Sequence, residues 1–269
     1  MTEIPPARAA AALLGERCVL DAPLGACTTY RVGGTADAFF VVEGDDDLVQ
    51  VSMAVRATGV EVLVVGKGSN LLVADAGFRG LALTLGEAFT TIEISEGTVR
   101  AGGAADLPVL ARRTATAGWR GLEWAVGVPG SVGGGVRMNA GGHGSDVAER
   151  LREVRVVDLA TGQDGVVVAV DLGLGYRRSH LGPTQVVVWA EFGVDPGDPR
   201  EAGARSLRMG TAQVSPKHAN FIQAESGGSA DDVLALIHEV RRRVLSTTGV
   251  DLVPEVRLVG FPPATPASA

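Results

Sequence analysis

Lysine is almost missing from this chain: Lys67 and Lys217 are its whole complement. Arginine is abundant, an imbalance that reads as genomic base composition rather than function. Positive charge is short overall, with a formal net charge of −7. That excludes a basic nucleic-acid footprint and argues against adhesion to anionic membranes. A phosphate-bearing ligand must then be met locally, by backbone amides and a few arginines. Cysteine is scarce as well, with only Cys18 and Cys27, so no disulfide framework is expected and both thiols read as free. The four histidines (His143, His180, His218 and His238) show no ligand spacing with acids or cysteines, and no metal site is expected. Ala9–Leu14 is too short an apolar run to span a membrane. It also lacks the basic start and cleavage site of a secretory signal, so a cytoplasmic protein is expected.

What is present is a 269-residue chain with 46% hydrophobic residues, enough for a substantial core. Residues 1–20 read as an Ala-rich helix or loose leader. Ala38–Val42 reads as a strand and Asp45–Thr58 as a helix, with acidic residues in its first turn and Gly59 at its end. Val60–Val65 is a nearly continuous apolar run, as a buried strand should be. Further strands are expected at Leu81–Leu85, Thr90–Ile94, Thr98–Ala101 and Gln185–Phe192, with a helix at Leu107–Ala117. Val154–Leu159 and Gly165–Val170 are placed to pair around Thr161-Gly162. Asp195-Pro196-Gly197-Asp198-Pro199 is the clearest boundary. Beyond it Ser229 caps a helix whose Val233, Ile237, Val240 and Val244 share one face, and Leu252–Val259 reads as a strand.

Two glycine-rich segments carry the chemistry. In Gly66-Lys67-Gly68-Ser69-Asn70 the glycines let successive N–H groups turn inward as an anion nest. The spacing is neither a Walker A loop nor a dinucleotide fingerprint. Taken alone, the segment is equally compatible with an ordinary tight turn. The second segment holds seven glycines from Gly127 to Gly142, a density that costs much backbone entropy on folding. Val128, Pro129, Val132, Val136 and Met138 make it too apolar for a flexible linker. A diphosphate lying between the two loops accounts for both.

At this point several motifs converge. Thr28-Thr29-Tyr30-Arg31-Val32-Gly33-Gly34, Gly66–Val73, Gly121-Leu122-Glu123-Trp124 through Gly134, and Met138-Asn139-Ala140-Gly141 occur in this order. Tyr176-Arg177-Arg178-Ser179, Val214–Phe221 and Leu252-Val253-Pro254-Glu255-Val256 follow them. Together they resemble the UDP-N-acetylenolpyruvoylglucosamine (UDP-N-acetylmuramate) reductase family, from about Leu24 to Gly260. The resemblance implies an α+β architecture: a two-part FAD-binding domain of the p-cresol methylhydroxylase type, then a shortened α+β substrate domain. The expected divisions are a leader or helix over 1–27, the FAD domain over 28–196 (subdomains about 28–86 and 87–196), a C-terminal domain over 197–262 and a disordered tail over 263–269.

The resemblance also implies residue roles. Noncovalent FAD would be held by Tyr30 and Arg31, then by Gly66, Lys67, Gly68, Ser69, Asn70 and Leu71. The second loop would add Val128, Pro129, Gly130, Ser131, Gly133, Gly134, Asn139 and Gly141. NADPH would be the electron donor. The acceptor would be the enolpyruvyl group of a UDP-sugar, in peptidoglycan precursor synthesis. Arg177 and Glu255 would be catalytic. Arg177 would stabilise enolate-like charge at the substrate carboxylate, for which a planar guanidinium fork is well shaped. Glu255 would help polarise that carboxylate or hold Arg177.

One family segment is missing. The serine-bearing Gly-Ser-x-Phe-x-Asn-Pro stretch, which supplies the final proton, has no counterpart between Phe192 and Val214. Ser206 and His218 are the candidates to stand in for it. Two readings therefore stay open: a reductase of the family's own reaction, or a flavin-binding paralogue with another acceptor or none.

Overall fold

The computed structural model describes residues 4–142, 144–197, 208–214, 222–225, 229–248 and 251–252. The chain divides into two compact units, Met1–Pro199 and Arg200–Ala269.

The first unit opens with α1 (Pro6–Leu14), β1 (Val19–Ala22), β2 (Ala36–Val42), α2 (Asp45–Thr58), β3 (Val62–Val64) and β4 (Phe78–Leu85). Their sheet has the order β1-β2-β4-β3, with β2 and β3 parallel to β4 and β1 antiparallel to β2. Three aspartates in the first turn of α2 complement the positive end of its dipole, and Gly59 ends it in the left-handed conformation at φ 63°. Leu48, Val51, Ala54 and Val55 supply its inner face and pack in one cluster with Phe40, Leu81 and Leu83. Each fully buried Leu or Phe here contributes roughly 1.5–3 kcal/mol.

Of the two N-terminal readings, the Ala-rich helix is the one observed. Residues 6–22 are integral rather than a leader, because Ala7, Ala10, Ala11 and Leu14 of α1 are buried in that same cluster and β1 extends the sheet. β1 escaped notice because it is a four-residue edge strand whose first three residues are exposed.

Next come β5 (Ile92–Ser95), β6 (Thr98–Gly102), α3 (Leu107–Thr116), β7 (Trp119–Arg120) and α4 (Val132–Arg137). After them come β8 (Gly141–Gly142), β9 (Ser145–Asp146), β10 (Leu151–Asp158), β11 (Asp164–Val168), β12 (Gln185–Gly193) and β13 (Asp195–Pro196). An antiparallel sheet of order β11-β10-β12-β6-β5 carries the second core, with Leu107, Leu110, Val132, Val136, Val154 and Phe192 among its buried residues. β10 and β11 pair as expected, Val157 facing Asp164. Asp195–Pro196 is not wholly irregular: it pairs with β7, at an edge where a proline's missing N–H is tolerated.

α4 was not foreseen, since Val132-Gly133-Gly134-Gly135-Val136-Arg137 is a poor helix former at roughly 1 kcal/mol per glycine. Packing overrides propensity. Val132 and Val136 are fully buried, and a Cβ on Gly135 would come within 3.0 Å of Leu107. The glycines bring the helix close to its neighbours.

In the second unit β14 (Arg208–Met209), β15 (Ala212–Val214) and β16 (Ile222–Ala224) form one antiparallel sheet, followed by α5 (Ala230–Thr248). Ser229 caps α5, its hydroxyl accepting the Asp231 N–H at 3.1 Å. The helix packs through Leu236, Val233 and Val240 onto Ala212 and Val214. The expected strand over Leu252–Val259 and the expected tail lie outside the described residues, Leu252 excepted. Among the described residues no helix is long and apolar enough to cross a membrane. Cys18 and Cys27 are both free, the first buried and the second exposed.

Candidate active site

A cavity of about 300 Å³ opens in the first unit, bounded by both glycine-rich segments. Gly66 and Lys67 come from the first, Ser131, Gly133 and Gly134 from the second. Thr84, Leu85, Gly103 and the β12 residues Gln185, Val186 and Val187 complete much of the wall. The volume is at the lower end of the range for small-molecule sites.

The two loops are joined directly. The Ser69 hydroxyl donates to the Pro129 carbonyl at 3.1 Å, and Lys67 Nζ lies 3.3 Å from Asp106 Oδ1 with both side chains half exposed. The Asp106 backbone in turn pairs with that of Ser131 in an isolated antiparallel bridge. Beneath them the Thr29 N–H donates to the Gly68 carbonyl at 3.1 Å. Gly68 sits at φ 63°, and a Cβ there would lie 2.2 Å from the Cys27 carbonyl oxygen. Only glycine fits this position.

The loops differ in what they offer an anion. In the second, the amides of the first turn of α4 are already used: Val132 donates to Ala105, Gly133 to Gly103, and Gly134 to the Ser131 hydroxyl. Among the described residues, no recorded hydrogen bond takes the N–H groups of Gly66, Lys67, Gly68, Ser69 or Asn70. The first loop thus has five successive amides to give, as a nest requires. In the second, Gly133 and Gly135 allow close packing, and Gly66 faces Ser131 with no room for a side chain.

A second cleft of about 240 Å³ contains Asn139, Gly141, Tyr176 and Arg177. Arg177 is exposed at φ 55°, its Nη2 donates to the Gly141 carbonyl at 3.2 Å, and its guanidinium lies 5.9 Å from the Tyr176 ring centre. Asn139 is buried, with its side-chain hydrogen bonds directed to protein partners.

The remaining expected residues are more dispersed. Tyr30 and Arg31 are exposed and do not line either cleft, and Arg31 has φ 54°. Leu71 packs with Leu24, Val65 and Val73. Asn70, Val128 and Gly130 flank the cavity in sequence without lining it. Glu255, Ser206 and His218 lie outside the described residues. Sequence reading passed over Arg137 and Gln185, which line the main cavity. Arg137 stands one residue before the Met138-Asn139-Ala140-Gly141 motif, and that proximity was the available signal.

Comparison with known proteins gives this geometry a context. Residues 36–167 match the FAD binding domain model, and residues 200–259 match the C-terminal domain of UDP-N-acetylenolpyruvoylglucosamine reductase. A UDP-N-acetylenolpyruvoylglucosamine reductase of Rubrobacter xylanophilus is 37% identical across 90% of this chain and 95% of its own length. This chain belongs to the UDP-N-acetylenolpyruvoylglucosamine reductase family. A relative of the same description from Heliobacterium modesticaldum is also 37% identical, across 88% of this chain and 89% of that protein. The crystal structure of UDP-N-acetylenolpyruvylglucosamine reductase (MurB) from Thermus caldophilus superposes with TM-score 0.58 at 30% identity, covering 86% of this chain and 95% of that one. The fold is the α+β, two-part FAD-binding architecture of the p-cresol methylhydroxylase type, followed by a C-terminal domain. The Rubrobacter alignment runs to 287 positions while drawing on nine-tenths of a 269-residue chain, so several dozen of its positions hold no residue of this protein.

Proposed function

We propose that this protein is an FAD-dependent, NADPH-driven reductase of the enolpyruvyl group of UDP-N-acetylglucosamine enolpyruvate, a step of peptidoglycan precursor synthesis in the cytoplasm. The observation that carries the reading is Arg177 held against Gly141, a guanidinium seated on the second of the two glycine loops. When bound, FAD supplies hydride chemistry, accepting a hydride from NADPH and passing it to the substrate's double bond. The residues fit such a group: a glycine-faced cavity, unspent amides at Gly66 and Lys67 on its wall, and apolar walls at Val65, Val186 and Val187.

The protein's own work is binding and charge. The amides of the Gly66–Asn70 loop, Gly66 and Lys67 foremost, would hold the cofactor's diphosphate, with Ser69 locking one loop to the other. Tyr30 and Arg31 would contribute from the entry segment, although both are exposed and line neither cleft. Hydride addition at the β-carbon leaves negative charge on the α-carbon and carboxylate. Arg177 would stabilise that charge with its guanidinium fork, and Glu255 would assist. The α-carbon would then need a proton, for which Ser206 and His218 are the candidates, since the family's serine segment is missing.

The test is a titration followed in the visible spectrum. Purified protein should carry a flavin band that NADPH bleaches anaerobically and that returns on adding the enolpyruvyl UDP-sugar. A band that bleaches but never returns with the sugar would assign another acceptor. Failure to bind FAD on reconstitution would refute the cofactor reading.

A further inference from the structure

We propose that Asn139 is a positioning residue, which sets the place of Arg177 through the backbone of the turn that carries it. This rests on the reading that Arg177 meets the substrate carboxylate. It also takes Asn139 out of the cofactor's contacts and places it behind Arg177.

The turn is an unusual support for a working arginine. Gly175 and Arg178 exchange both main-chain hydrogen bonds, at 3.0 and 3.1 Å, so Tyr176 and Arg177 form the tip between them. Arg177 has φ 55°, a left-handed conformation that costs a non-glycine residue about 1 kcal/mol or more. Tyr176 is 92% exposed, so no packing at the tip fixes it. Something outside the turn must.

Asn139 is 4% exposed and reaches the turn at its base. One Nδ2 hydrogen goes to the Gly175 carbonyl at 3.1 Å, the other to Asp146 Oδ2 at 2.9 Å. Its Oδ1 accepts the Ala148 N–H at 2.9 Å. An amide has two donors, and both are spent inside the protein, leaving none for a cofactor. Asn139 is itself at φ 41°, which asparagine tolerates better than most residues. Asp146 belongs to the short hairpin in which it faces Gly141, and Gly141 accepts from Arg177. The circuit closes: Asn139 holds Gly175 and Asp146, Asp146 pairs with Gly141, and Gly141 holds the guanidinium. A network built on one buried asparagine with all its side-chain hydrogen bonds made favours one geometry. Alignment of a fork to a carboxylate needs that, since a 1 Å misplacement can cost on the order of a hundredfold in rate.

Two variants separate the possibilities. Asn139→Asp turns both donors into an acceptor facing the acceptors Asp146 and Gly175, and serves as the disruptive case. The exchange Asn139→Asp with Asp146→Asn restores a donor–acceptor pair between the two side chains while removing the Asn139 donor from the Gly175 carbonyl, which keeps only the Arg178 N–H. The exchange variant should keep its flavin content and its rate of reduction by NADPH. Reoxidation by the enolpyruvyl UDP-sugar should slow about ten- to a hundredfold. In an Arg177→Ala background the same exchange should add less than about twofold, because coupled groups are not additive. Wild-type reoxidation by the exchange variant would overturn the proposal, as would loss of flavin or an equal slowing in the Arg177→Ala background. If Arg177→Ala alone reoxidises normally, the reading of Arg177 has failed and this one with it.

Discussion

Gly66 and Ser131, one from each glycine-rich segment, face each other so closely that a Cβ on Gly66 would lie 2.5 Å from the Ser131 hydroxyl oxygen. That hydroxyl caps α4 by accepting from Gly134 at 3.3 Å. Gly66→Ala should therefore displace the cap, worth about 1 kcal/mol, and intrude on the cavity. The FAD retained through purification, read as the ratio of visible to ultraviolet absorbance, should fall about tenfold or more, the equivalent of 1.4 kcal/mol in binding. Gly66 is not among the positive-φ residues, so the effect is steric. Adding Ser131→Gly to Gly66→Ala should recover much of the flavin, and no recovery would sink the steric account.

Gly59 and Gly68 share φ 63° and differ in surroundings. Nothing lies within 4 Å of a Cβ on Gly59, whereas one on Gly68 would meet the Cys27 carbonyl at 2.2 Å. Gly59→Ala should cost only the left-handed conformation, about 1 kcal/mol. Gly68→Ala adds overpacking to that and should cost about 2–4 kcal/mol. Urea denaturation of the two variants makes the comparison, and equal losses would refute it.

The contrast between those glycines marks what was legible in the sequence. Asp45–Thr58 was readable because acidic residues, helical spacing and a terminal glycine all agreed, and its bounds are those observed. β12 was readable as a long β-branched run. Elements whose reason lies elsewhere in space were not. α4 depends on Leu107 and the buried faces of Val132 and Val136, and β1 on the edge that β2 offers it. The site divides in the same way. The glycine segments were visible as composition, but which of them has amides to spare depends on Ala105 and Gly103, far away in sequence. Asn139 was recognisable by its motif, and its role became visible only with its three partners in place.

Arg177→Lys keeps the charge and removes the fork. Reoxidation by the enolpyruvyl UDP-sugar should drop by about a hundredfold, the usual scale for losing a donor at developing negative charge. Reduction by NADPH should be unchanged, because Arg177 lies in the second cleft and not among the walls of the main cavity. Stopped-flow measurement of each half-reaction separates the two. Equal slowing of both would place Arg177 at the cofactor instead.

Acid stability should report on Asp47. Its side chain is 10% exposed and accepts from Arg17 Nη1 at 2.7 Å, Arg17 Nη2 at 2.8 Å and the Glu43 N–H at 2.7 Å. The Arg17 hydrogen bonds hold this carboxyl below its ordinary range, against the opposing effect of burial. A carboxylate with a lowered folded-state pKa contributes stability in full above its unfolded value, near 3.9. That contribution disappears as pH falls through the folded value. Asp164, held down by Arg155, acts in the same direction but is 45% exposed and more screened. Unfolding free energy should thus be level above about pH 5 and fall below it. Asp47→Asn should cost about 1–3 kcal/mol at pH 7 and show a shallower decline in acid, since one linked proton has been removed. Parallel acid profiles for the variant and the wild type would rule out this linkage.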